Sequence, residues 1–275
     1  MQVREFFREY DAFVPQGDGD ARALLRLDVR RHAIIADNLD VIEGKRVLDI
    51  ASHDGRMSFA ALEAGAEHVI GVEGRPELVE AATRHVAGYG IAPERFEFRV
   101  GDAHEALADF QPGQFDTIFC LGFLHHTPHH VRLLREFRRL GAEHLILDTP
   151  ITLDKKLIVE FTLEDTSDTL MAIGDRPAAW AGRMSRPLLE ALIGEAGYDF
   201  RYFDWPRLMR RLDRPCPEIT ESKYADGRRV TVRCQRRNAG DAFVLADPPR
   251  GWRVPDSRLT RAVLTRARRL RRLFR

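Results

Sequence analysis

Residues 46–55, RVLDIASHDG, decide how the chain is read. RVLDIA (46–51) is a short aliphatic run, the pattern of a strand buried on both faces. It passes into SHDGR (52–56), where small and flexible residues turn the chain toward a helix over 57–65. A tight turn between a strand and a helix N-terminus points backbone N–H groups outward. Those groups and the positive end of the helix can hold an anionic or zwitterionic ligand. Gly55 supplies conformational freedom at the helix entry, and Ala51 and Ser52 are small enough for close backbone approach.

Working outward, strand and helix patterns alternate. Before the turn, residues 20–42 place Leu24, Leu27, Ile34, Ile35 and Leu39 near helical spacing. After it come HVIGVE (68–73), a helix opened by Pro76 and running to about Ala87, and RFEFRVGD (95–102). FDTIFCLG (115–122), a helix over 131–140 and HLILDTP (144–150) follow. Residues 151–185 break the rhythm. Arg186 and Pro187 then open a further helix, and YDFRYFDW (198–205) and RRVTVRC (228–234) are the last strands. This alternation predicts an α/β fold: a doubly wound, mostly parallel seven-stranded sheet with an antiparallel last strand. Residues 1–45 form an N-terminal helical segment in this reading. The domain spans 46–236, with insertions at 151–185 and 206–226, and 237–275 is a connector followed by a basic helix. Ligands of such sheets bind beyond the carboxyl ends of the strands.

The second strand ends in Glu73-Gly74, about 20 residues beyond the turn, where a carboxylate can accept from both hydroxyls of a ribose. The third ends in Gly101-Asp102-Ala103, where a short acid can accept from an adenine amino group. In this order and spacing the chain resembles the class I methyltransferases that use S-adenosylmethionine (SAM). Asp49 and Ile50 match the start of their first motif and Gly55 its last glycine; Ala51 and His53 replace the other two. The resemblance covers roughly residues 30–236 and implies a Rossmann-like methyltransferase fold with SAM as cofactor. It implies cofactor contacts from Asp49, Ala51, Ser52, His53, Gly55, Glu73, Gly74, Asp102, Ala103 and Leu121, the last within FDTIFCLGFLHHT. RPLLEALIGEAGYDF (186–200) resembles a late helix and strand of the same family. A dinucleotide-binding protein is the nearest rival, but its G-x-G-x-x-G is absent and Asp54 would stand beside a phosphate.

Methyl transfer from a sulfonium needs alignment of acceptor and methyl, and a hydroxyl acceptor also needs a base. GFLHHTPHH puts His125 and His126 just after the fourth strand, and both are candidate bases. His129 and His130 are expected exposed at the start of the next helix. Asp148, closing the fifth strand, is a candidate to orient a histidine or accept from a substrate hydroxyl. With His residues or Glu160 it could also hold a divalent metal. No Asn-Pro-Pro-Tyr follows the fourth strand, against amino-methylating enzymes of that signature, and the three cysteines (120, 216, 234) lack the pairing of a cysteine-nucleophile enzyme.

Among 275 residues, 44% are apolar and 31% charged, which suits a globular chain. The net charge of +1 and the lack of an evident basic groove in the body argue for a small polar acceptor, foremost a saccharide, over a nucleic acid. RNA is an alternative, since VTVR (230–233) resembles a phrase of tRNA-wobble-uridine enzymes; a lipid or quinone is another, and a scaffold without activity a third. The cysteine usage fits a reducing, cytoplasmic setting. The N-terminal MQVREFFREYDAF carries acids where a signal peptide is apolar. The acidic run Glu164–Asp168, with Trp180 and Met184 beyond it, suggests a cover over the acceptor site. Ten arginines lie between 250 and 275, around an apolar stripe of Leu259, Val263, Leu270 and Phe274. Such a helix suits an anionic membrane surface, a polyanion or an acidic partner, and so a peripheral position at a membrane.

Overall fold

The computed structural model describes residues 3–14, 21–165, 178–212 and 223–238. The decisive run forms β1 (Arg46–Ile50), with Val47, Leu48 and Ile50 fully buried. It lies between β2 (His68–Glu73) and β4 (Thr117–Leu121), parallel to both. Outside β2 lies β3 (Phe96–Val100), and beyond β4 lies β5 (His144–Pro150), each again parallel. The last strand, β9 (Arg229–Arg236), runs antiparallel to β5 on one side and to β8 (Tyr198–Tyr202) on the other. The seven-stranded order is therefore β3-β2-β1-β4-β5-β9-β8. The antiparallel strand enters between its neighbours, and β8 forms the edge.

Period-two alternation divides the strands between two apolar layers. Leu48, Ile70, Ile118 and Leu145 face one layer, built with Leu107 of α5 (Ala103–Asp109), Phe137 of α6 (His130–Leu140) and Ile193 of α7 (Arg186–Glu195). Val47, Val69, Phe119 and Ile146 face the other. That layer contains Ile34 of α2 (Ala21–Ile34), Phe59 of α3 (Arg56–Glu63), Val86 of α4 (Pro76–Gly88) and Phe6 and Phe7 of the short α1 (Phe6–Glu9).

Five parts of the chain depart from the sequence reading. The helix expected over 20–42 ends at Ile34, and residues 36–41 tighten into a 3₁₀ turn. Asn38 breaks it: its side-chain amide donates to the carbonyls of Ala33 (3.1 Å) and Ile34 (3.0 Å), satisfying the helix end. The irregular stretch 151–185 contains a separate hairpin, β6 (Val159–Asp165) and β7 (Ala178–Met184). The strand read as 198–205 stops at Tyr202 because Asp204 caps a helix, accepting from Arg207 N at 2.9 Å, with Pro206 in its first turn. That helix, α8 (Trp205–Arg211), replaces the start of the insertion expected at 206–226. Asp102, read as part of the third strand, instead caps α5. Cys216, the basic segment at 257–275 and nearly all of the connector lie outside the described residues. Among those described, no helix is long and apolar enough to cross a membrane.

Candidate active site

A cavity of about 650 Å³ opens at the carboxyl ends of β1, β2 and β4. The turn after β1 forms its floor. Ala51 (φ 57°), His53 (φ 54°) and Gly55 (φ 79°) all adopt left-handed backbone. The two positions where the first motif has lost its glycines thus keep a glycine-like conformation, at a cost of about 1 kcal/mol each. Gly55 itself admits no side chain, since a Cβ there would lie 2.9 Å from Ala82 and Phe98.

Two carboxylates flank the turn. Asp49 is buried and accepts from Ser58 Oγ at 2.7 Å, which ties β1 to α3. Burial lifts its carboxyl to about 7 despite that hydrogen bond. Glu73 accepts from His53 N at 3.0 Å and from Arg75 Nε at 3.0 Å while facing the cavity. Ala51, Ser52, His53, Gly74, Ala103 and Leu121 also line it. Ser52 Oγ is buried without a hydrogen-bond partner among the described residues. Asp102 does not line the cavity. Its Oδ1 accepts from His104 N (2.8 Å) and Glu105 N (3.2 Å), so its neighbours Gly101 and Ala103 meet the space instead.

The opposite wall follows β4. His125 and His126 close a 3₁₀ turn (Leu124–His126), their ring centres 3.8 Å apart. Burial, followed by His126 and Arg229, pushes His125 down to about 2, so it stays neutral. His126 is also lowered by burial, but a carboxylate pulls the other way: its Nδ1 lies 2.8 Å from Glu164 Oε2. Its Nε2 is buried with no hydrogen-bond partner among the described residues. Glu164 comes from β6, so the hairpin brings one acid of the expected cover onto a candidate base. His129 is exposed as expected, whereas His130 is buried with Nε2 2.9 Å from the Gly182 carbonyl. It joins α6 to β7.

Asp148 does not orient a histidine. It is fully buried, and accepts from Arg229 Nε (2.7 Å), Arg30 Nη2 (3.2 Å), Tyr224 OH (2.8 Å) and Thr231 Oγ1 (2.7 Å). Burial alone would raise its carboxyl, but the two guanidinium groups outweigh that and hold it at about 2. Arg30, Tyr224 and Arg229, which line the cavity, carry no motif that marks them in the sequence. Among the described residues no group of three His, Cys, Asp or Glu could hold a metal, and Glu160 is exposed on β6. Arginines surround Asp148 where the sequence reading allowed a metal.

Residues 47–143 match the family model of a methyltransferase domain. Ubiquinone biosynthesis O-methyltransferases are among the curated relatives. That of Xanthomonas euvesicatoria is 31% identical over 118 residues, 43% of this chain and 47% of its own length. That of Idiomarina loihiensis is 33% identical over 111 residues, 40% and 44% respectively. The chain thus spans less than half the length of these relatives. The fold is shared with the N-terminal domain of EvdMO1, solved in the presence of SAH and D-fucose (TM-score 0.54, 18% identity, 86% of this chain and 98% of that one). It is also shared with a SAM-dependent methyltransferase of Mesorhizobium loti (TM-score 0.50, 15% identity, 80% and 99%). Residues 47–143 thus match a methyltransferase domain, and the seven-stranded sheet around them has the Rossmann-like fold of class I SAM-dependent methyltransferases.

Proposed function

We propose that the chain transfers a methyl group from SAM to a hydroxyl of a small polar acceptor, with His126 as general base. The observation that carries this is the His126–Glu164 pair: the carboxylate takes Nδ1, and Nε2 is buried without a partner among the described residues on a ring that lines the cavity. The residues present fit the cofactor. Glu73 keeps lone pairs for ribose hydroxyls, the turn 51–55 with Asp49 suits the methionine end, and Ala103 and Leu121 suit the adenine. Ser52 Oγ is a buried polar atom still needing a partner. Bound SAM supplies an electrophilic methyl carbon on a sulfonium.

The chain's own contribution is alignment and proton removal. Burial lowers the pKa of His126 and so favours the neutral ring, whose Nε2 can accept the hydroxyl proton as the acceptor oxygen forms its new bond to carbon and the sulfonium's carbon–sulfur bond breaks. Glu164 then stabilises the imidazolium through Nδ1–H, as a carboxylate does in other histidine dyads. His125, uncharged beneath the ring of His126, adds no repelling charge.

A saccharide is the acceptor we favour. The charged and polar lining supports it, as does the D-fucose with which the EvdMO1 domain was crystallised. A phenolic or quinone-related hydroxyl is the second reading, favoured by the named role of the sequence relatives. Incubating the protein with labelled SAM and fractionated cell extract tests both. Label should enter the small polar fraction; label in RNA alone would overturn the reading, and label in the apolar fraction would favour the second.

A further inference from the structure

The charges of the described residues around the cavity do not balance. Among the described residues, Arg26, Arg30, Arg56, Arg75, Lys223 and Arg229 line it, against Asp49 and Glu73. Two arginines are answered locally, Arg56 by Asp54 and Arg75 by Glu73. Of the other four cations, Arg30 and Arg229 share one buried carboxylate, Asp148. Arg26 and Lys223 are exposed and make no ion pair among the described residues. Arg30 and Arg229 use Nε and Nη2 on Tyr224 and Asp148, and Nη1 of each makes no hydrogen bond among the described residues. Asp49 offers little compensation, being buried and hydrogen-bonded at the far wall.

The cofactor does not correct the imbalance. SAM carries a sulfonium and an ammonium against one carboxylate, so its arrival adds a positive charge. The surplus also lies on the acceptor side. Arg229 Nη2 would be 3.3 Å from a Cβ on Gly122, the residue that follows β4 and leads into the histidine turn. Arg30 reaches the same place from α2 through their shared Asp148 and Tyr224. In a partly enclosed space of low dielectric, unmatched cations favour an anionic occupant. Guanidinium groups with free outer nitrogens suit the paired oxygens of a carboxylate or phosphate.

We propose that the methylated hydroxyl belongs to an anionic acceptor, whose carboxylate or phosphate is received by Arg30, Arg229 and Lys223. This rests on the methyl-transfer reading above and adds the charge class of its substrate. A uronic acid or sugar phosphate fits within the saccharide reading, and a hydroxybenzoate within the phenolic one.

The first test needs no knowledge of the acceptor. Benzoate and inorganic phosphate are titrated calorimetrically into the full chain saturated with SAH, which fills the cofactor half. Saturable binding of one of them is expected, and its identity separates carboxylate from phosphate. The exposed-site double variant Arg26→Gln/Lys223→Gln should weaken that binding at least fivefold and leave SAH affinity within twofold. The second test compares methylation of paired acceptors at equal SAM: glucose with glucuronate and glucose 6-phosphate, and catechol with 3,4-dihydroxybenzoate. The charged member should have the higher kcat/KM by tenfold or more, mainly through KM, with the advantage shrinking as salt rises. No saturable anion binding, or a neutral member used as well as its charged partner, would overturn the proposal and leave methyl transfer standing. Equal losses with neutral and charged acceptors in the double variant would also overturn it, since the cations would then serve the reacting oxygen alone. Failure of SAH itself to bind would strike the underlying reading instead.

Discussion

Glu164 of the β6–β7 hairpin holds Nδ1 of His126 at 2.8 Å, across 38 positions of sequence. A carboxylate on one ring nitrogen leaves the other free to take a proton and steadies the charge that results. His126→Ala should therefore lower turnover by roughly 10²-fold or more, with SAM affinity within twofold. Glu164→Gln should lower it by about tenfold, or about 1.4 kcal/mol of barrier. The pH profile gives an independent check. The active form of His126 is neutral, and burial lowers its pKa, so the rate should be flat at neutrality and fall on a limb below about 6.5. In Glu164→Gln that limb should move to lower pH, since the carboxylate that favours the charged ring is gone. An unchanged rate in both variants would rule out the pair as the base.

Asp148 holds together the cavity wall that Arg30, Tyr224 and Arg229 form. Removing its charge leaves Arg30 and Arg229 buried and unmatched, with side chains 20% and 19% exposed. Asp148→Asn should cost about 3–5 kcal/mol in urea unfolding at pH 7. The folded carboxyl sits at about 2, below its unfolded value, so its stabilisation is fully present above pH 4 and is lost as pH falls through 2. A loss under about 1 kcal/mol would mean that the pair contributes little net stability.

The strained turn makes a prediction of the opposite sign. Ala51 holds φ 57°, a region that costs an L-residue energy and glycine none. Ala51→Gly should raise stability by up to about 1 kcal/mol without weakening SAM binding. A clear destabilisation would show that the alanine methyl makes packing contacts that outweigh the backbone strain.

Much of the sheet was legible because its strands are short, aliphatic and separated by recognisable helix signals. HVIGVE coincides with β2 residue for residue, and Pro76 opens α4 as expected. The departures arose where a side chain recruits backbone. Asn38 stops a helix that apolar spacing would extend, and Asp204 converts the end of an aromatic strand into a cap. The cavity wall formed by the β1 turn and the end of β2 was legible in local motifs, because a turn and the acid after the next strand carry their own spacing. The wall beyond β4 was not, because Arg30, Glu164, Tyr224 and Arg229 come from four separate parts of the chain and meet only in the fold. Arg26 and Arg30, four apart on α2, were the one available hint. For the same reason the net charge of +1 concealed a strongly cationic cavity.

The arginine-rich segment 257–275 yields its prediction from sequence alone. Each arginine near an anionic membrane contributes about 1 kcal/mol. Deleting the segment should leave SAM affinity unchanged and abolish co-sedimentation with anionic liposomes, which in the intact protein should weaken steeply with salt. A truncated protein that unfolds or loses the cofactor would show that the segment serves the catalytic domain. An intact protein that ignores liposomes would contradict the membrane expectation.

The central claim is that the cavity beyond β1 and β2 is a working SAM site despite the altered first motif. Calorimetric titration of the full chain with SAM and with SAH tests it most directly. One site with Kd in the range of about 1–100 μM is expected. Binding should be at least tenfold weaker, about 1.4 kcal/mol, in Glu73→Ala. The absence of binding by both molecules, or a Glu73→Ala variant that binds them as well as the parent, would contradict it.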